Sequence, residues 1–227
     1  MEFRHGMEEY LAAIYILQAE GVSVSPSKLA DYLQVSRPTV TQTVHRMEKA
    51  NYVERGNNKV LVLTAAGKER AEAVVRKHRL IERWLSDELG LDWADAHVEA
   101  GRLEHAISPL VEERLWEKLG HPTACPHGNL IPGSGAEFNK GTPLTEVTGS
   151  VTVQMIRIME QAEEDLDLLR FLHAAGFIPG AKLHLTGNSN PYEAGIQVTV
   201  GEESFSLERR VAERIIVEIP SDSVLQA

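Results

Sequence analysis

The chain has 227 residues, 43% hydrophobic and 25% charged, with a formal net charge of −10 and a single cysteine. That length predicts two or three domains, and the acidic balance excludes a nucleic-acid binder held by net charge alone. One cysteine excludes an intrachain disulfide and suits a reducing compartment. No apolar run approaches the ~18 residues of a membrane helix. The start, MEFRHGMEEYLAAIY, lacks the basic, apolar and small-residue order of a signal peptide. A cytoplasmic protein with no membrane association is expected.

Met7 to Gln18 carries apolar residues at helical spacing, and Gly21 stops the helix. Ser25-Pro26-Ser27 caps a second helix over KLADYL, a short QVS turn follows, and Pro38 opens a third helix running to about Ala50. Two β-type runs, Tyr52–Arg55 and Val60–Leu63, flank the turn sequence GNNK and predict a hairpin. Thr64 then caps a long helix ending near Gly90. Asp92 begins another, to about Ile107, and Pro109 a third, to Gly120. The Pro- and Gly-rich stretch from His121 to Thr145 predicts a linker partly ordered by local contacts. Beyond it, SVTVQMIRI, KLHLTG, GIQVTV, ESFSLE and RIIVEI alternate as strands, interrupted by one helix near Glu163–Ala174, and predict a small bent β-barrel. The expected fold is mainly α with β. A winged helix-turn-helix covers 1–70, an all-helical metal-binding and dimerisation domain 71–122, a linker 123–146, and an SH3-like β-barrel 147–227.

Helix, turn, helix and hairpin make a winged helix-turn-helix. From Ser27 to Leu63, Lys28, Arg37, Arg46, Lys49, Arg55 and Lys59 stand against Asp31, Glu48 and Glu54, a local +3 inside the acidic chain. Such a module suits phosphate. The start of the third helix offers Ser36, Arg37, Pro38, Thr39, Thr41 and Gln42 to a major groove. Gln42 suits an adenine edge, and Arg37 a guanine or a phosphate. Lys59 in the wing suits a phosphate strand. Val40, Val44 and Met47 form the opposite face and are expected in the core. Winged modules also serve protein interaction, so this motif alone leaves both uses open.

Potential metal ligands follow. His78 and Glu82 share a helical face, as do His97 and Glu104, with His105 beside them. Imidazole with carboxylate suits first-row divalent ions. Either pair alone reads as a solvated ion pair; two pairs on consecutive helices behind a DNA-reading module point to metal. Cys125 and His127 lie in a CPHG loop, which reads either as ligands or as a Pro-rich linker with a buried thiol.

The motifs MEEYLAAIYIL, SRPTVTQTVHRMEK, VLTAAGKE, RKHRLIERWL, HVEAGRLEHAIS and GNLIPG, in this order, resemble the diphtheria toxin repressor family, which includes manganese transport regulators. LLRFLHAAGFIPGAKLHL and RRVAERIIVEI resemble the SH3-like module of many members and of ferrous-iron transport accessory proteins. The resemblance implies a homodimeric repressor, not an enzyme, activated by Mn²⁺ or Fe²⁺ with about two sites per subunit and acting on double-stranded operator DNA. It also implies ligands by position: Glu9, Glu104 and His105 in the effector site, and His78, Glu82 and His97 in an ancillary site. Asp165 falls near the carboxylate that the SH3-like module offers, with Glu163 and Glu164 competing. Gly101 departs from the pattern, because other members carry Cys or Glu there and glycine offers only its backbone carbonyl. The CPHG loop resembles one that donates Cys and His in some manganese-responsive members.

Hard oxygen at Glu9 and the missing sulfur at Gly101 favour Mn²⁺, with Fe²⁺ as the alternative. The expected mechanism is a metal clasp between the first helix and the central helices that fixes two recognition helices on a palindrome. Trp84, Leu85, Leu89, Leu110 and Leu115 are candidates for either a dimer core or an intrachain core. A metalloenzyme and a winged-helix sensor of an organic ligand are the rival readings.

Overall fold

A computed structural model describes residues 6–186 and 195–219, so the expected domains at 1–70 and 147–227 run partly outside the described residues. The chain forms two compact units, Met1–His78 and Arg79–Ala227.

The first unit contains α1 (Met7–Ala19), α2 (Pro26–Tyr32), α3 (Arg37–Lys49), β1 (Val53–Arg55), β2 (Leu61–Leu63) and the start of α4 (Ala65–Leu89). Local chemistry sets these boundaries. The Oγ atoms of Ser25 and Ser36 accept from the backbone N–H of Lys28 and Thr39, each at 3.3 Å, and proline occupies the first turn of both helices. Gln34 takes a left-handed φ of 53° between them. β1 and β2 pair antiparallel with Val53 opposite Leu63. At the wing tip, Asn58 and Lys59 hold φ values of 56° and 62°, a region that asparagine tolerates better than most residues. Gly67 is required where α4 leaves the wing, because a Cβ there would collide with the Tyr52 carbonyl. Tyr10, Leu11, Ile14, Leu29, Val40, Val44, Met47 and Leu61 are buried together. Each such side chain contributes roughly 1.5–3 kcal/mol through burial. The inward face of α3 is the one its spacing predicts.

The second unit holds the rest of α4, then α5 (Trp93–Leu103) and α6 (Pro109–Lys118), followed by the β-rich region. Its strands are β3 (Thr142–Pro143), β4 (Val151–Ile158), β5 (Lys182–Leu185), β6 (Ile196–Val200), β7 (Glu203–Leu207) and β8 (Ile215–Glu218), with α7 (Leu166–Ala174) and the single turn α8 (Arg209–Ala212). They form one antiparallel sheet in the order β3-β8-β4-β5-β6-β7. The register of β4 against β8 shifts between Met155 and Arg157, as in a β-bulge, which bends a strand. Strands β4 to β8 and α7 share one core around Met155, Leu169, Phe177, Leu183, Val198 and Val217, and Trp93 and Ala94 of α5 belong to the same core.

The segment expected as a linker is structured over its first part: Cys125, Pro126, His127, Asn129, Ile131 and Pro132 are buried, and Ala124 bridges Leu130. Its Pro and Gly content reflects a tight turn rather than a tether. The candidate dimer residues also divide. Leu85 is buried with Ile81, Ala96 and Ala100, and Trp84 and Leu115 pack on them. Leu89 and Leu110 remain exposed, at 55% and 67%.

Candidate metal centre and nucleic-acid interface

At the start of α3 and in the wing, Ser36, Arg37, Pro38, Thr39, Thr41, Gln42 and Lys59 are all exposed. Three hydroxyls are occupied locally. Ser36 Oγ caps α3 and lies 2.7 Å from Thr39 Oγ1, and Thr41 Oγ1 donates to the Arg37 carbonyl at 3.0 Å. Those contacts shape the start of α3.

In the second unit, three elements converge on Glu82. It is a fully buried carboxylate of α4, and its Oε1 lies 2.9 Å from Nδ1 of His97 on α5. Cys125 and His127, both buried, come from the loop after α6; ligand atoms of Glu82, Cys125 and His127 all lie within 4.8 Å of one another. Glu163 completes the group, with Oε1 at 3.1 Å from His127 Nδ1 and Oε2 at 3.7 Å from His97 Nδ1. His78, the last residue of the first unit, precedes Glu82 by one turn of α4.

The turn that precedes α7 decides which acid enters. Glu160–Ala162 is a 3₁₀ turn, in which residues three apart eclipse, and Glu160 and Glu163 are both buried. Asp165, the expected ligand, is instead exposed and caps α7, its Oδ1 accepting from the Leu168 N–H at 3.1 Å. Glu163 occupies the place expected of it. The sequence left these acids competing, because only the 3₁₀ geometry separates them.

Residues without metal-ligand character hold the cluster in place. Arg79 of α4 is buried and donates to the Leu130 carbonyl and to the Glu160 carboxylate. Asn129 donates to Glu163 Oε1 at 2.7 Å and to the Ile158 carbonyl at 3.0 Å. The loop closes through Gly128 N–H to Cys125 carbonyl and Cys125 N–H to Asn129 carbonyl. Gly128 has φ +90°, and a Cβ there would drive into the Ile156 carbonyl. Trp93 meets the His127 ring edge-on, centroids 4.9 Å apart, and stacks on His173 at 4.8 Å. Sequence reading missed Arg79, Asn129 and Glu160 as support; GNLIPG was the available signal for Asn129.

Burial and neighbouring carboxylates shift several of these groups. Burial opposes a charged His127, but the Glu163 and Glu82 carboxylates outweigh it and hold the imidazole well above its usual pKa. Burial pushes the Cys125 thiol up, with Glu82 adding to the shift. Glu160 is pushed to about 6, by burial first and by Glu163 and Glu82, against the pull of Arg79. His127 is fully buried, and its ring nitrogens make no well-aligned hydrogen bond among the described residues, although Glu163 Oε1 faces Nδ1 at 3.1 Å as an ion pair. Buried imidazoles, carboxylates and a thiol gathered in this way suit a first-row divalent cation.

Two ligands of the other expected site lie close together in this unit. Glu104 is buried at the end of α5, and its Oε1 is 3.3 Å from Nε2 of the exposed His105. Glu9 lies in the first turn of α1, in the first unit. Gly101 sits within α5, and a Cβ there would meet nothing within 4 Å. Within a helix glycine costs up to about 0.5–1 kcal/mol relative to alanine, and Gly101 lies in the last turn of α5. Gly101→Ala is therefore expected to raise the melting temperature of the metal-free protein, measured by calorimetry.

A winged helix-turn-helix joined to a buried imidazole, carboxylate and thiol cluster defines a metal-responsive DNA-binding regulator. Residues 2–61 match the iron dependent repressor N-terminal DNA binding domain, residues 64–133 the iron dependent repressor metal binding and dimerisation domain, and residues 142–219 the FeoA domain. The iron-dependent repressor IdeR of Mycobacterium leprae is 39% identical over 222 residues, covering 93% of this chain and 96% of its own. The diphtheria toxin repressor of Corynebacterium diphtheriae is 37% identical over 187 residues, covering 78% and 83%. A manganese-dependent transcriptional repressor in complex with manganese superposes with a TM-score of 0.83 at 29% identity, over 94% of this chain and all of that one. The chain belongs to the diphtheria toxin repressor family and is a metal-dependent transcriptional repressor. Among the described residues no helix is long and apolar enough to cross a membrane.

Proposed function

We propose that this protein is a Mn²⁺-responsive repressor of metal-homeostasis genes, acting as a homodimer on a palindromic operator. The observation that carries metal dependence is the buried Glu82–His97–Cys125–His127–Glu163 cluster, in which carboxylates, imidazoles and a thiol face one another. Glu9, Glu104 and His105 supply a further site, and Gly101 contributes at most a backbone oxygen there. His78 joins Glu82 and His97 by its place one turn earlier on α4. Manganese is favoured by the hard oxygen of Glu9 and by the lack of a sulfur ligand at Gly101. Fe²⁺ is the second reading, favoured by the names of the relatives with the highest identities quoted above.

When bound, the cation supplies positive charge that draws side chains of distinct elements together. The chain's own residues do the rest. Glu104 and His105 anchor the end of α5, and Glu9 ties α1 to them. The exposed side chains at the start of α3 read bases, with Arg37 and Gln42 as the specificity residues and Lys59 on a phosphate. Half-sites lie about 34 Å apart, or a multiple of it. Exposed Leu89 and Leu110 provide apolar surface for the homodimer.

Operator binding measured against Mn²⁺, against Fe²⁺ under anaerobic conditions, and with chelator tests the reading. Metal should tighten binding, and undiminished binding in chelator would end it. Gln42→Ala should cost about 1–3 kcal/mol and relax sequence preference at one position. Lys59→Ala should weaken all duplexes alike and lower the salt slope by about 1. Anisotropy titrations over a salt series on single-base operator variants distinguish the two effects.

The buried cluster also dictates a proton count. His127 and Cys125 both hold protons more tightly than usual. Ligation requires neutral imidazole and thiolate, so binding releases protons and affinity rises with pH. Calorimetric titration in buffers of different ionisation enthalpy should show net proton release, with weaker binding at acidic than at alkaline pH. Equal affinity across that range would contradict the assignment.

A further inference from the structure

Arg70, on α4, belongs to none of the sites described above, yet it joins three parts of the first unit. Its Nη2 donates to Glu8 Oε1 of α1 at 2.7 Å, and its Nη1 donates to the Tyr52 hydroxyl at 3.2 Å. The guanidinium carbon lies 5.4 Å from the centre of the Tyr52 ring. Resting on the reading of Glu9 as the metal ligand of α1, we propose that Arg70 is a positioning residue, which couples the first turn of α1 to the joint between α3 and the wing.

Tyr52 is that joint. Asn51, just before it, takes a left-handed φ of 58°, and β1 begins just after it at Val53. The Tyr52 N–H donates to the Met47 carbonyl of α3 at 3.0 Å. The Tyr52 carbonyl accepts from the N–H of Thr64, between β2 and α4, also at 3.0 Å. Thr64 Oγ1 donates to the Asn51 carbonyl at 2.7 Å and accepts from the Gly67 N–H at 3.1 Å. The backbone of Tyr52 is thus bonded to the end of α3 and to the strand exit of the wing. A displacement of its side chain reaches both elements.

At the other end lies the start of α1. Gly6 gives that helix no side-chain cap, and helix ends open most easily of all regular structure. Arg70 holds Glu8, the neighbour of Glu9 in the same turn. A cation that seats Glu9 therefore orders a turn already tied to Tyr52. Arginine suits this place because its planar fork bonds a carboxylate and a hydroxyl at once and its face stacks on a ring, which the point charge of lysine does not do. The tie is modest in strength. The Arg70 and Glu8 side chains are 48% and 36% exposed, and exposed ion pairs contribute little to stability. Its expected effect is a few-fold change in coupling, with the fold retained.

The test measures operator binding of the full chain by anisotropy, with saturating Mn²⁺ and with chelator. The ratio of the two affinities is the coupling factor, typically about 5–150-fold. Arg70→Met should lower that ratio about two- to fivefold, the size of an exposed pair. The number of ions bound per protomer, from equilibrium dialysis against Mn²⁺, should stay the same. A lost surface charge or a general loss of stability lowers both affinities together and leaves the ratio where it was. Glu8→Ala should lower the ratio likewise, and the Glu8→Ala, Arg70→Met double variant should lose no more than either alone. Arg70→Lys should recover only part. Thermal melting confirms that each variant is folded, and Glu8→Ala carries the test if Arg70→Met does not fold. An unchanged ratio in these variants, with the metal response lost in Glu9→Ala, overturns the tie and leaves the reading of Glu9 standing. Losses that add in the double variant show two separate effects and overturn it too. A Glu9→Ala protein that keeps its full metal response ends the reading of Glu9, and the tie with it.

Discussion

Replacing Glu104 and His105 together by alanine is expected to abolish metal-stimulated operator binding while leaving the weak binding of the metal-free protein unchanged. The two side chains lie 3.3 Å apart at the end of α5, distant in sequence from the exposed reading residues at the start of α3. On the proposed assignment, their loss removes ligands without touching any proposed base-reading group. Coupling between an effector and a second ligand is typically ~1–3 kcal/mol, or about 5–150-fold, and is reciprocal. Fluorescence anisotropy on an operator selected from random duplexes should therefore show that factor in the wild type and none in the variant. Reciprocity adds a second reading: operator DNA should tighten Mn²⁺ binding to the wild type by the same factor. A variant that keeps its metal response would show that Glu104 and His105 do not form the effector site.

The largest expected stability effect belongs to Arg79, which binds no metal. Its guanidinium is buried, with the Glu160 carboxylate and the Leu130 carbonyl as partners. Arg79→Met would leave Glu160 buried without its cation. Breaking one side of such a pair costs about 3–5 kcal/mol, whereas replacing both members with apolar residues is often neutral or better. Denaturant unfolding of the metal-free protein should show that loss for Arg79→Met. Adding Glu160→Leu should recover much of it. A single-variant loss under about 1 kcal/mol would fall in the range of exposed pairs and contradict the buried assignment. The consequence reaches the metal cluster, because Arg79 holds Leu130 at the end of the turn that carries Cys125 and His127. The Arg79→Met protein should therefore bind Mn²⁺ more weakly even when folded.

Elements with strong local signals were legible from the amino acids alone. Serine caps followed by proline place the starts of α2 and α3, and the apolar spacing of Val40, Val44 and Met47 assigns the buried face. Asn58 and Lys59 in the wing take left-handed φ because a short reversal demands it, and GNNK advertises that turn. The ligand types were legible as well: His97 and Glu82 do meet, and Cys125 and His127 do enter the same cluster. What the amino acids left open was how far the linker is ordered and which of Glu163, Glu164 and Asp165 faces the imidazoles; Glu163 is buried there, and Asp165 caps α7. Pro and Gly content is equally compatible with a mobile link and with a tight, buried turn. The 3₁₀ turn that turns Glu163 inward leaves no periodic trace in so short a segment.

Sequence by itself determined the order of domains, the reading helix and the inventory of imidazoles, carboxylates and thiol, because caps, periodicity and residue chemistry act over a few neighbouring positions. Tertiary structure decided which acid faces the imidazoles, which apolar side chains stay uncovered, and how Arg79 and Asn129 brace the loop. Those outcomes depend on contacts between residues 29 to 81 positions apart, such as Asn129 with Ile158 and Arg79 with Glu160. Their energies come from burial and from charges brought together out of water, and no local pattern encodes them.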